Sequence, residues 1–529
     1  MATYIHKHKD LFLVFLGSII LCLIGSGAYP IYILDEAKNA EAAREMLSKT
    51  EFIVPTFNNI LRTDKPPLHY YFMMLGYKIF GIGAFGARFF SGIFGALTIL
   101  TSYFYIAKFA SKHLARVFTI LCWSSIFFIQ EFHLAVPDPY LIFFISIGLW
   151  LFFDFFNTKS KTALWFMYVA FALGTLTKGP VAVALPGLIC LLFLISKKKL
   201  NLKELLSYKP LIGLSILLVI SLPWYIAVHI ETAGAWTKGF FLDHNLNRFG
   251  SKMEGHGGIF LITWAFVLLG LMPFSFFVFY AFKHAYTLRK ENTLLLFSTI
   301  VSIVFIVFFS ISGTKLPNYT MPCYPFLALT IATTLKDVYQ SGKKNNHITT
   351  VIILITILAI ALPIASKFAL LQDKTLKTVS NVAYWLIPTS VITSIGAYFY
   401  FYNKLKKAFL TIAIGWIIIA PILFLAIYPQ LTTQNPVEKA QSLIKNKKHI
   451  VAYKRFDAAF PINFQKTFKI IKTQEEITSF FNQFPNGYLL TNDRKISPLE
   501  NRSDIYKFFE GKALFESHTT RIYKKKTNK

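Results

Sequence analysis

Repeated apolar runs, each long enough to form a membrane-crossing helix, constrain the fold of this chain more than any other feature of its sequence. About 20 apolar residues in an α-helix cross the hydrocarbon core of a bilayer. Charged residues make up 15% of the chain, whereas soluble proteins carry about 25%. We therefore predict an α-helical polytopic membrane protein with about 13 spans. The predicted span centres lie near residues 22, 95, 123, 148, 170, 189, 219, 270, 302, 326, 357, 391 and 417.

Basic residues are concentrated in every second connection between these runs, and this pattern predicts the orientation of the chain. Short loops rich in Lys and Arg stay on the cytoplasmic side of a membrane. The N-terminus is predicted on the same side, and an odd number of spans places the C-terminus outside. The basic clusters are Lys108/Lys112/Arg116, Lys159/Lys161, Lys197/Lys198/Lys199, Lys283/Arg289/Lys290, Lys336/Lys343/Lys344 and Lys404/Lys406/Lys407.

The net charge of +29 would suggest a nucleic-acid partner in a soluble protein. The positive loops explain this charge here, and the sequence contains no nucleic-acid-binding motif, so we predict no such partner. The four cysteines lie in or beside apolar runs without C-x-x-C spacing, which predicts neither a disulfide framework nor a metal site.

The remaining connections carry the unusual polar residues and are predicted to lie on the outer face. The segment 34–67 is the longest of them, and it is longer than a simple connection between two spans requires. Its position makes it the first candidate for chemistry. The outer segments are 34–67, 131–139, 177–180, 230–257, 312–319 and 367–380.

The chain is predicted to form two domains. Residues 1–431 form the membrane domain, with outer loops 34–67 and 230–257, and residues 432–529 form a small soluble α/β domain. Strand patterns at 450–453, 468–471 and 487–491, and a helix at 475–484 with Thr473 as its N-cap, indicate this second domain. The first apolar run, 11–33, is predicted to be an uncleaved anchor; a signal peptide cleaved near the small residues 25–28 is the alternative.

The segment 34–67 contains two clusters of charged residues. Asp35 and Glu36 lie at its start, before a helical pattern at 37–47 that is expected to lie along the membrane interface. Asp35 is either a functional acid or merely the N-cap of that helix. Asp64 and Lys65 precede two prolines, and Lys65 either serves the site or anchors the loop among lipid headgroups.

Further charged residues appear in the other outer segments. Asp138 lies between two prolines, where it is either functional or an ordinary turn residue. Lys178 and Lys315 are exceptions to the positive-inside pattern. His244 and Arg248 are about one helical turn apart and would share a face of a helix.

These residues together suggest a class of substrate. Lys and Arg bind phosphate groups, and nearby acids orient a sugar hydroxyl or activate a nucleophile. The combination predicts chemistry on a phosphorylated lipid at the outer leaflet.

Several stretches carry a resemblance to a known family. They are Asp35-Glu36-Ala37 with 43–47, Asp64-Lys65-Pro66-Pro67 with 68–71, 176–180, and 315–319 with Pro322; His244 and 247–249 form a looser one. Over roughly the first 330 residues the chain resembles GT-C-fold, polyprenyl-phosphate-sugar-dependent glycosyltransferases. Within this group it looks most like the 4-amino-4-deoxy-L-arabinose transferases of lipid A, which are related to protein O-mannosyltransferases.

The resemblance, together with the charge pattern, implies roles for named residues. Catalytic residues would be Asp35, Glu36 and Asp138. The donor phosphate would be bound by Lys65, Arg248, Lys178 and Lys315, and Arg44, Tyr319 and His69 would line the substrate. Asp64 and His244 match positions that bind a metal in some relatives. No cofactor is expected to be required, and a divalent metal is left open, because Asp64 stands where relatives usually carry Glu.

The implied function is transfer of an amino sugar or hexose from a polyprenyl phosphate to an outer-leaflet acceptor, with lipid A first among the candidates. The protein would be a monomer in the bacterial inner membrane, with its C-terminal domain in the periplasm. The alternatives are a protein O-glycosyltransferase and a lipid flippase or transporter. A transporter is disfavoured, because transporters place polar groups near the bilayer midplane and often have internal repeats.

Overall fold

The protein is described from a computed structural model, which covers residues 2–247, 258–342, 344–494 and 499–526. Residues 2–8 and 244–247 are described by their backbone alone. The described chain is mainly helical, with a small sheet near its C-terminus.

The first half of the chain begins with a long helix, and several of the helices that follow are long and apolar. The helices are α1 (Ala2–Leu23), α2 (Leu34–Lys49), α3 (Leu68–Phe80), α4 (Ala84–Phe109), α5 (Lys112–Ser124), α6 (Ile126–Glu131), α7 (Asp138–Thr158), α8 (Lys161–Lys178), α9 (Val181–Ser196), α10 (Leu202–Ser207), α11 (Pro210–Glu231) and α12 (Ala235–Lys238), followed by a π-helix at Gly239–Asn247.

Helices in the second half alternate with short 3₁₀ and π segments. The α-helices are α13 (Leu261–Gly270), α14 (Val278–Leu288), α15 (Thr293–Ile311), α16 (Tyr324–Ser341), α17 (Asn346–Gln372), α18 (Ile387–Phe401), α19 (Leu405–Ile417), α20 (Ile419–Ile422), α21 (Tyr428–Thr432), α22 (Pro436–Ile444), α23 (Ala459–Phe464) and α24 (Gln474–Gln483). The 3₁₀-helices are Phe274–Phe277, Pro317–Cys323 and Lys377–Leu386, and a π-helix spans Leu423–Ile427.

The prediction of a polytopic helical membrane protein is confirmed. Seven helical segments in the described part of the chain are long and apolar enough to cross a membrane: Ala84–Phe109, Asp138–Thr158, Pro210–Glu231, Thr293–Ile311, Asn346–Gln372, Lys377–Phe401 and Leu405–Thr432. All of the predicted span centres lie inside helices. The count of about 13 spans stays a prediction, because several of those helices, such as α5 and α13, are short.

The C-terminal part of the chain folds around a five-stranded mixed sheet. Its strands are β3 (Ile450–Tyr453), β4 (Lys469–Ile471), β5 (Tyr488–Asp493), β6 (Ile505–Lys512) and β7 (Thr519–Lys525), in the order β4-β3-β5-β7-β6. Strand β3 runs parallel to β4 and β5, whereas β7 is antiparallel to β5 and β6.

The predicted strands and helix of this region are confirmed as β3, β4, β5 and α24. Thr473 caps α24 and forms a reciprocal capping box with Glu476. Strands β6 and β7 were not predicted from the sequence. Strand β6 lies at a sheet edge with mostly exposed side chains, so it lacks the apolar pattern of a buried strand.

The polar segment 34–67 folds into α2 and a hairpin of β1 (Thr56–Phe57) and β2 (Ile60–Leu61). The predicted helix at 37–47 is therefore present as part of α2, but it does not lie open on the membrane interface. Nearly all of its residues are buried, between α3 on one side and the C-terminal helix α23 on another. Its alanines allow this close packing, because they bring the neighbouring helices near its backbone.

Asn58 joins the hairpin to the C-terminal sheet region. Its Nδ2 donates to the carbonyl of Phe468 at 2.9 Å, and the Phe468 N–H donates to its Oδ1 at 2.7 Å. Asn58 and Asn59 both have positive φ, of 52° and 62°, as a tight two-residue hairpin turn requires. The side chain of one turn residue thus ties together segments that are far apart in sequence.

Replacing Asn58 by Ala is expected to lower the free energy of unfolding by about 2 to 3 kcal/mol more than Asn59→Ala, because two buried backbone groups lose their partners. Both variants place alanine at positive φ, so Asn59→Ala controls for turn strain. SDS titration in mixed micelles measures the difference, and limited proteolysis reports exposure of the C-terminal region. Equal effects of the two variants would show that the hydrogen bonds between Asn58 and Phe468 do not stabilise the fold.

The C-terminal region also contains a partly buried histidine between two carboxylates. The His518 Nε2 lies 3.1 Å from the Asp457 Oδ2, and its Nδ1 lies 2.9 Å from the Glu516 Oε2. Burial opposes its charge, but the hydrogen bonds to Asp457 and Glu516 outweigh it and raise the pKa of His518 to about 9.

We expect the stabilisation from protonated His518 to be complete below about pH 6.5, its unfolded pKa, and to be lost as the pH rises through about 9. The thermal midpoint measured from pH 6 to pH 10 should therefore fall more steeply in the unmodified protein than in His518→Gln. Parallel curves for the two proteins would show that this histidine does not titrate with folding.

Candidate active site

Two adjoining cavities lie where the outer segments meet the helical bundle. One, of about 260 Å³, has mostly apolar walls, and the other, of about 70 Å³, is mainly polar. Six residues line both cavities and therefore form their junction: Asp64, Lys65, Asp138, Lys178, Asn318 and Tyr319. Four of these were predicted as site residues, and a fifth, Tyr319, as a substrate-lining residue.

The walls of the larger cavity come from helices of the membrane domain. Side chains of α7, α9 and α15 supply most of the apolar surface, and Phe240 adds an aromatic ring from the segment after α12. Such a surface suits an apolar chain, whereas the charged junction suits a polar headgroup. The principal residues on this surface are Leu141, Ile145, Leu185, Phe305, Phe308 and Phe309.

The smaller cavity is lined by the first turn of α2. Asp35, Lys38 and Asn39 line it, and the Asp35 side chain is exposed. The N-cap of α2 is Ile33, so Asp35 is the second residue of the helix and not its cap. The interpretation of Asp35 as an N-cap is therefore wrong, and its carboxylate is available to the cavity at the positive end of the helix dipole.

Asp138 and Lys178 form an ion pair at the junction. Asp138 is the first residue of α7 and Lys178 the last of α8, and the Lys178 Nζ lies 2.5 Å from the Asp138 Oδ1. The ammonium also lies 5.1 Å from the centre of the Tyr319 ring. Both charged side chains are largely buried. The carboxylate and the aromatic face together hold Lys178 at the point where the two cavities meet.

Arg62 organises the polar cavity and was not predicted from the sequence. Its buried guanidinium donates to the Asn39 Oδ1 and the Tyr70 hydroxyl, both at 3.1 Å, and pairs with Asp64 at 2.7 Å. Its carbonyl accepts a hydrogen bond from the Trp236 indole at 2.9 Å. Because these partners come from separate segments, no local sequence signal pointed to Arg62.

Asp64, one of the two residues assigned to a possible metal, pairs with an arginine in the structure. The Asp64 carboxylate is bound to Arg62, and the described residues hold no group of three or more His, Cys, Asp or Glu side chains that could ligate an ion. His244, the second residue assigned to the metal, is described by its backbone alone, and Arg248 lies outside the described residues. The roles of His244 and Arg248 stay predictions.

Glu36 was predicted as a catalytic residue, but in the structure it is buried in an ion pair away from both cavities. Both oxygens bind the Arg88 guanidinium, at 2.6 and 2.9 Å, and both side chains are fully buried. The Ala135 N–H also donates to Glu36 at 3.0 Å. Glu36 lines neither cavity, so the structure places it as a residue that holds α2 in position.

Three other predicted residues also lie outside the two cavity linings. Arg44 makes a bidentate pair with Glu41, at 2.7 and 2.6 Å, in the interior of α2. The Lys315 ammonium donates to the Ser312 carbonyl within its own loop. His69 is fully buried beside the ring of Tyr70. Arg44 and Lys315 thus bind partners three residues earlier in the chain and not a cavity ligand.

Burial also shifts the pKa of Glu41, the acid that binds Arg44. It raises the pKa of Glu41 to about 7, although Arg44 opposes the rise. This pair supports the packing of α2 under the C-terminal region and does not contact the cavities.

Four cavity or near-cavity residues were missed besides Arg62. Lys38 and Asn39 follow the predicted acids by less than one helical turn, and Asn318 precedes Tyr319. Glu131 is buried within electrostatic range of Asp138 and Lys178. Glu131 could have been predicted from the sequence, because it is an acid at the end of an apolar run.

Comparisons with known proteins agree with this architecture. Residues 64–226 match the family model for dolichyl-phosphate-mannose-protein mannosyltransferases. The undecaprenyl phosphate-alpha-4-amino-4-deoxy-L-arabinose arabinosyl transferase 2 of Pseudomonas fluorescens (strain Pf0-1) is 30% identical over 326 residues, which cover 60% of this chain and 57% of that protein. An uncharacterised protein of Aquifex aeolicus is 32% identical over 323 residues, covering 61% of this chain and 72% of that one.

A solved structure shares nearly the whole fold. The crystal structure of ArnT from Cupriavidus metallidurans bound to undecaprenyl phosphate superposes with a TM-score of 0.79 over 98% of both chains, at 18% identity. The chain therefore shares the fold of that membrane protein. The chain is thus similar to polyprenyl-phosphate-sugar-dependent glycosyltransferases in sequence and to a GT-C structure in fold, in agreement with the resemblance of its motifs.

Replacing Glu36 by Gln is expected to lower the free energy of unfolding by about 3 to 5 kcal/mol, because Arg88 is left as a buried charge without its counter-ion. The matched control is Glu204→Gln, which breaks the more exposed pair with Lys159 and should cost at most about 1 kcal/mol. SDS titration in mixed micelles measures both. A small, equal effect of the two variants would show that the buried pair does not stabilise the fold.

Proposed function

We propose that this protein transfers a sugar from a polyprenyl phosphate to an acceptor at the outer face of the bacterial inner membrane. The observation that carries the proposal is the junction of an apolar and a polar cavity, with Lys65 and Lys178 lining both. A lipid phosphate has the same division between an apolar chain and a charged group. The proposed orientation has a cytoplasmic N-terminus and a periplasmic C-terminal domain at 432–529.

The donor phosphate would lie at the junction, with its chain leaving along the apolar cavity. Lys65 and Lys178 supply positive charge there, and Tyr319 adds an aromatic wall. Asp138 keeps Lys178 charged and directed into the site through their ion pair. Arg248 is a further proposed phosphate ligand. Undecaprenyl phosphate is the proposed lipid carrier, because it is named in the relatives' activity and in the structural neighbour.

The acceptor would enter through the polar cavity beside Asp35 and Lys38. The pairing of a carboxylate with an ammonium suits an acceptor that carries both a hydroxyl and a phosphate. Lipid A is the proposed acceptor, and 4-amino-4-deoxy-L-arabinose is the sugar suggested by the names of the relatives.

In the proposed reaction, an acceptor oxygen forms a bond to C1 of the sugar while the bond from C1 to the phosphate oxygen breaks. Positive charge grows on the sugar ring, as in other glycosyl transfers, and negative charge grows on the departing polyprenyl phosphate. Lys65 and Lys178 stabilise that negative charge in a partly enclosed site. Asp35 accepts the proton of a hydroxyl acceptor; for a phosphate acceptor it only orients the group.

Two alternatives differ in their products. A protein O-glycosyltransferase would use the same donor site. The match of residues 64–226 to the family model for dolichyl-phosphate-mannose-protein mannosyltransferases supports this alternative. A flippase or transporter would move a lipid without forming a bond, and the polar lining at one end of the bundle gives it little support.

Lys65→Ala and Asp35→Asn are each expected to reduce sugar transfer about a hundredfold, because each removes one electrostatic contact to the reacting groups. Purified protein is incubated with labelled undecaprenyl-phosphate aminoarabinose and lipid A, and mass spectrometry follows the product. Lys78→Ala, an exposed lysine on α3, is the matched control and should keep full activity.

The acceptor is tested by offering lipid A and a Ser/Thr-rich peptide to the unmodified protein in parallel. Label on the peptide alone would replace lipid A by a protein acceptor. Full activity of both site variants, at unchanged thermal midpoints, would overturn the site assignment. Movement of the labelled lipid across vesicles without product formation would favour a transporter.

A further inference from the structure

A second amphipathic cavity lies at the other end of the helical bundle. It has a volume of about 230 Å³ and lies between α5, α16 and α19, with Phe274 at its inner wall. These three helices pack together, because α5 contacts both α16 and α19. The cavity shares no lining residue with the two cavities of the candidate active site.

Helix direction places this cavity at the membrane face opposite the active site. Helix α7 begins at Asp138 in the active site and ends near Thr158. Close to that far end, the Lys108 ammonium at the end of α4 pairs with Asp154 at 2.8 Å. Helix α5 begins three residues after α4 ends, so its first turn lies at this opposite face as well.

The polar residues of the cavity are all at that face. His113 and Arg116 are in the first turns of α5, and Lys406 is in the first turn of α19. Tyr339, near the end of α16, is hydrogen-bonded to His113. Polar side chains from three helices therefore meet at one mouth of the cavity.

The walls become apolar toward the bilayer interior. Along α5, the lining continues from His113 through Val117 to Leu121, which is roughly 12 Å of helix. Along α19 it continues through Phe409 and Leu410. The cavity thus has a charged mouth and an apolar slot, at the depth where a lipid of this leaflet has its headgroup and the start of its acyl chains.

The charges at the mouth favour an anion. Arg116 is paired with Asp10 at 2.7 Å, and the neighbouring Lys336 lies 3.7 Å from Asp337. Among the described residues, Lys406 forms no ion pair with a carboxylate, so its positive charge is left for a ligand. We propose that this cavity binds an anionic phospholipid of the leaflet opposite the active site, with its phosphate at Lys406 and an acyl chain between α5 and α19.

The proposal is tested on the purified full-length protein in detergent by native mass spectrometry. Dioleoyl phosphatidylglycerol and dioleoyl phosphatidylcholine are offered at equal concentrations. The unmodified protein is expected to retain phosphatidylglycerol preferentially. Lys406→Ala should weaken this retention about fivefold, since it removes one basic group from the phosphate. Lys407→Ala, the adjacent exposed lysine that does not line the cavity, should leave retention unchanged.

The apolar slot has its own matched pair of variants. Leu410 and Ile414 are each 44% exposed and lie one turn apart on α19, but only Leu410 lines the cavity. Leu410→Trp should fill the slot and reduce lipid retention at least as much as Lys406→Ala. Ile414→Trp should have no effect.

Two kinds of result would contradict the proposal, each for a different reason. Equal retention of the two lipids, or equal loss with Lys406→Ala and Lys407→Ala, would show unspecific attraction and overturn the site. Loss with Lys406→Ala but not with Leu410→Trp, together with displacement by millimolar inorganic phosphate, would show that the mouth binds free phosphate and not a lipid.

Discussion

The buried ion pair between Glu36 and Arg88 is the interaction on which the arrangement of the candidate active site depends. Two charges in the interior carry a large desolvation cost, which is offset here by a bidentate geometry and by further hydrogen bonds to backbone groups. Because Glu36 is adjacent to Asp35 and also accepts from Ala135, the pair positions both α2 and the segment that precedes Asp138. The reacting groups of the proposed site are therefore set in place by a contact that lines neither cavity.

A second set of contacts joins the C-terminal region to α2 and to the hairpin. The C-terminal region packs on α2, and Asn463 donates to the carbonyl of Ile31 at 2.7 Å, just before that helix begins. Asn58 makes the corresponding connection to the hairpin. These contacts place the C-terminal region against α2, chiefly through helix α23.

How much could be predicted differs between the fold and the site. The helical class and the strands β3 to β5 follow from local patterns of apolar residues, so the sequence was sufficient for them. Asp35, Lys65, Asp138 and Lys178, which line the cavities, could be predicted as candidates because charged residues are conspicuous at membrane boundaries. Arg62 was missed because its importance lies in partners from distant segments.

The sequence by itself determined the class of this protein, because a chain of long apolar runs must cross a membrane, and it singled out the charged residues that break the positive-inside pattern. Only the tertiary structure decided which of those charges serve the cavities. Asp35 and Glu36 are neighbours in sequence, yet the helical rotation between them turns one carboxylate to the polar cavity and the other into the interior beside Arg88. The physical reason is that successive helix residues point in different directions, so their roles depend on what the fold packs against each face.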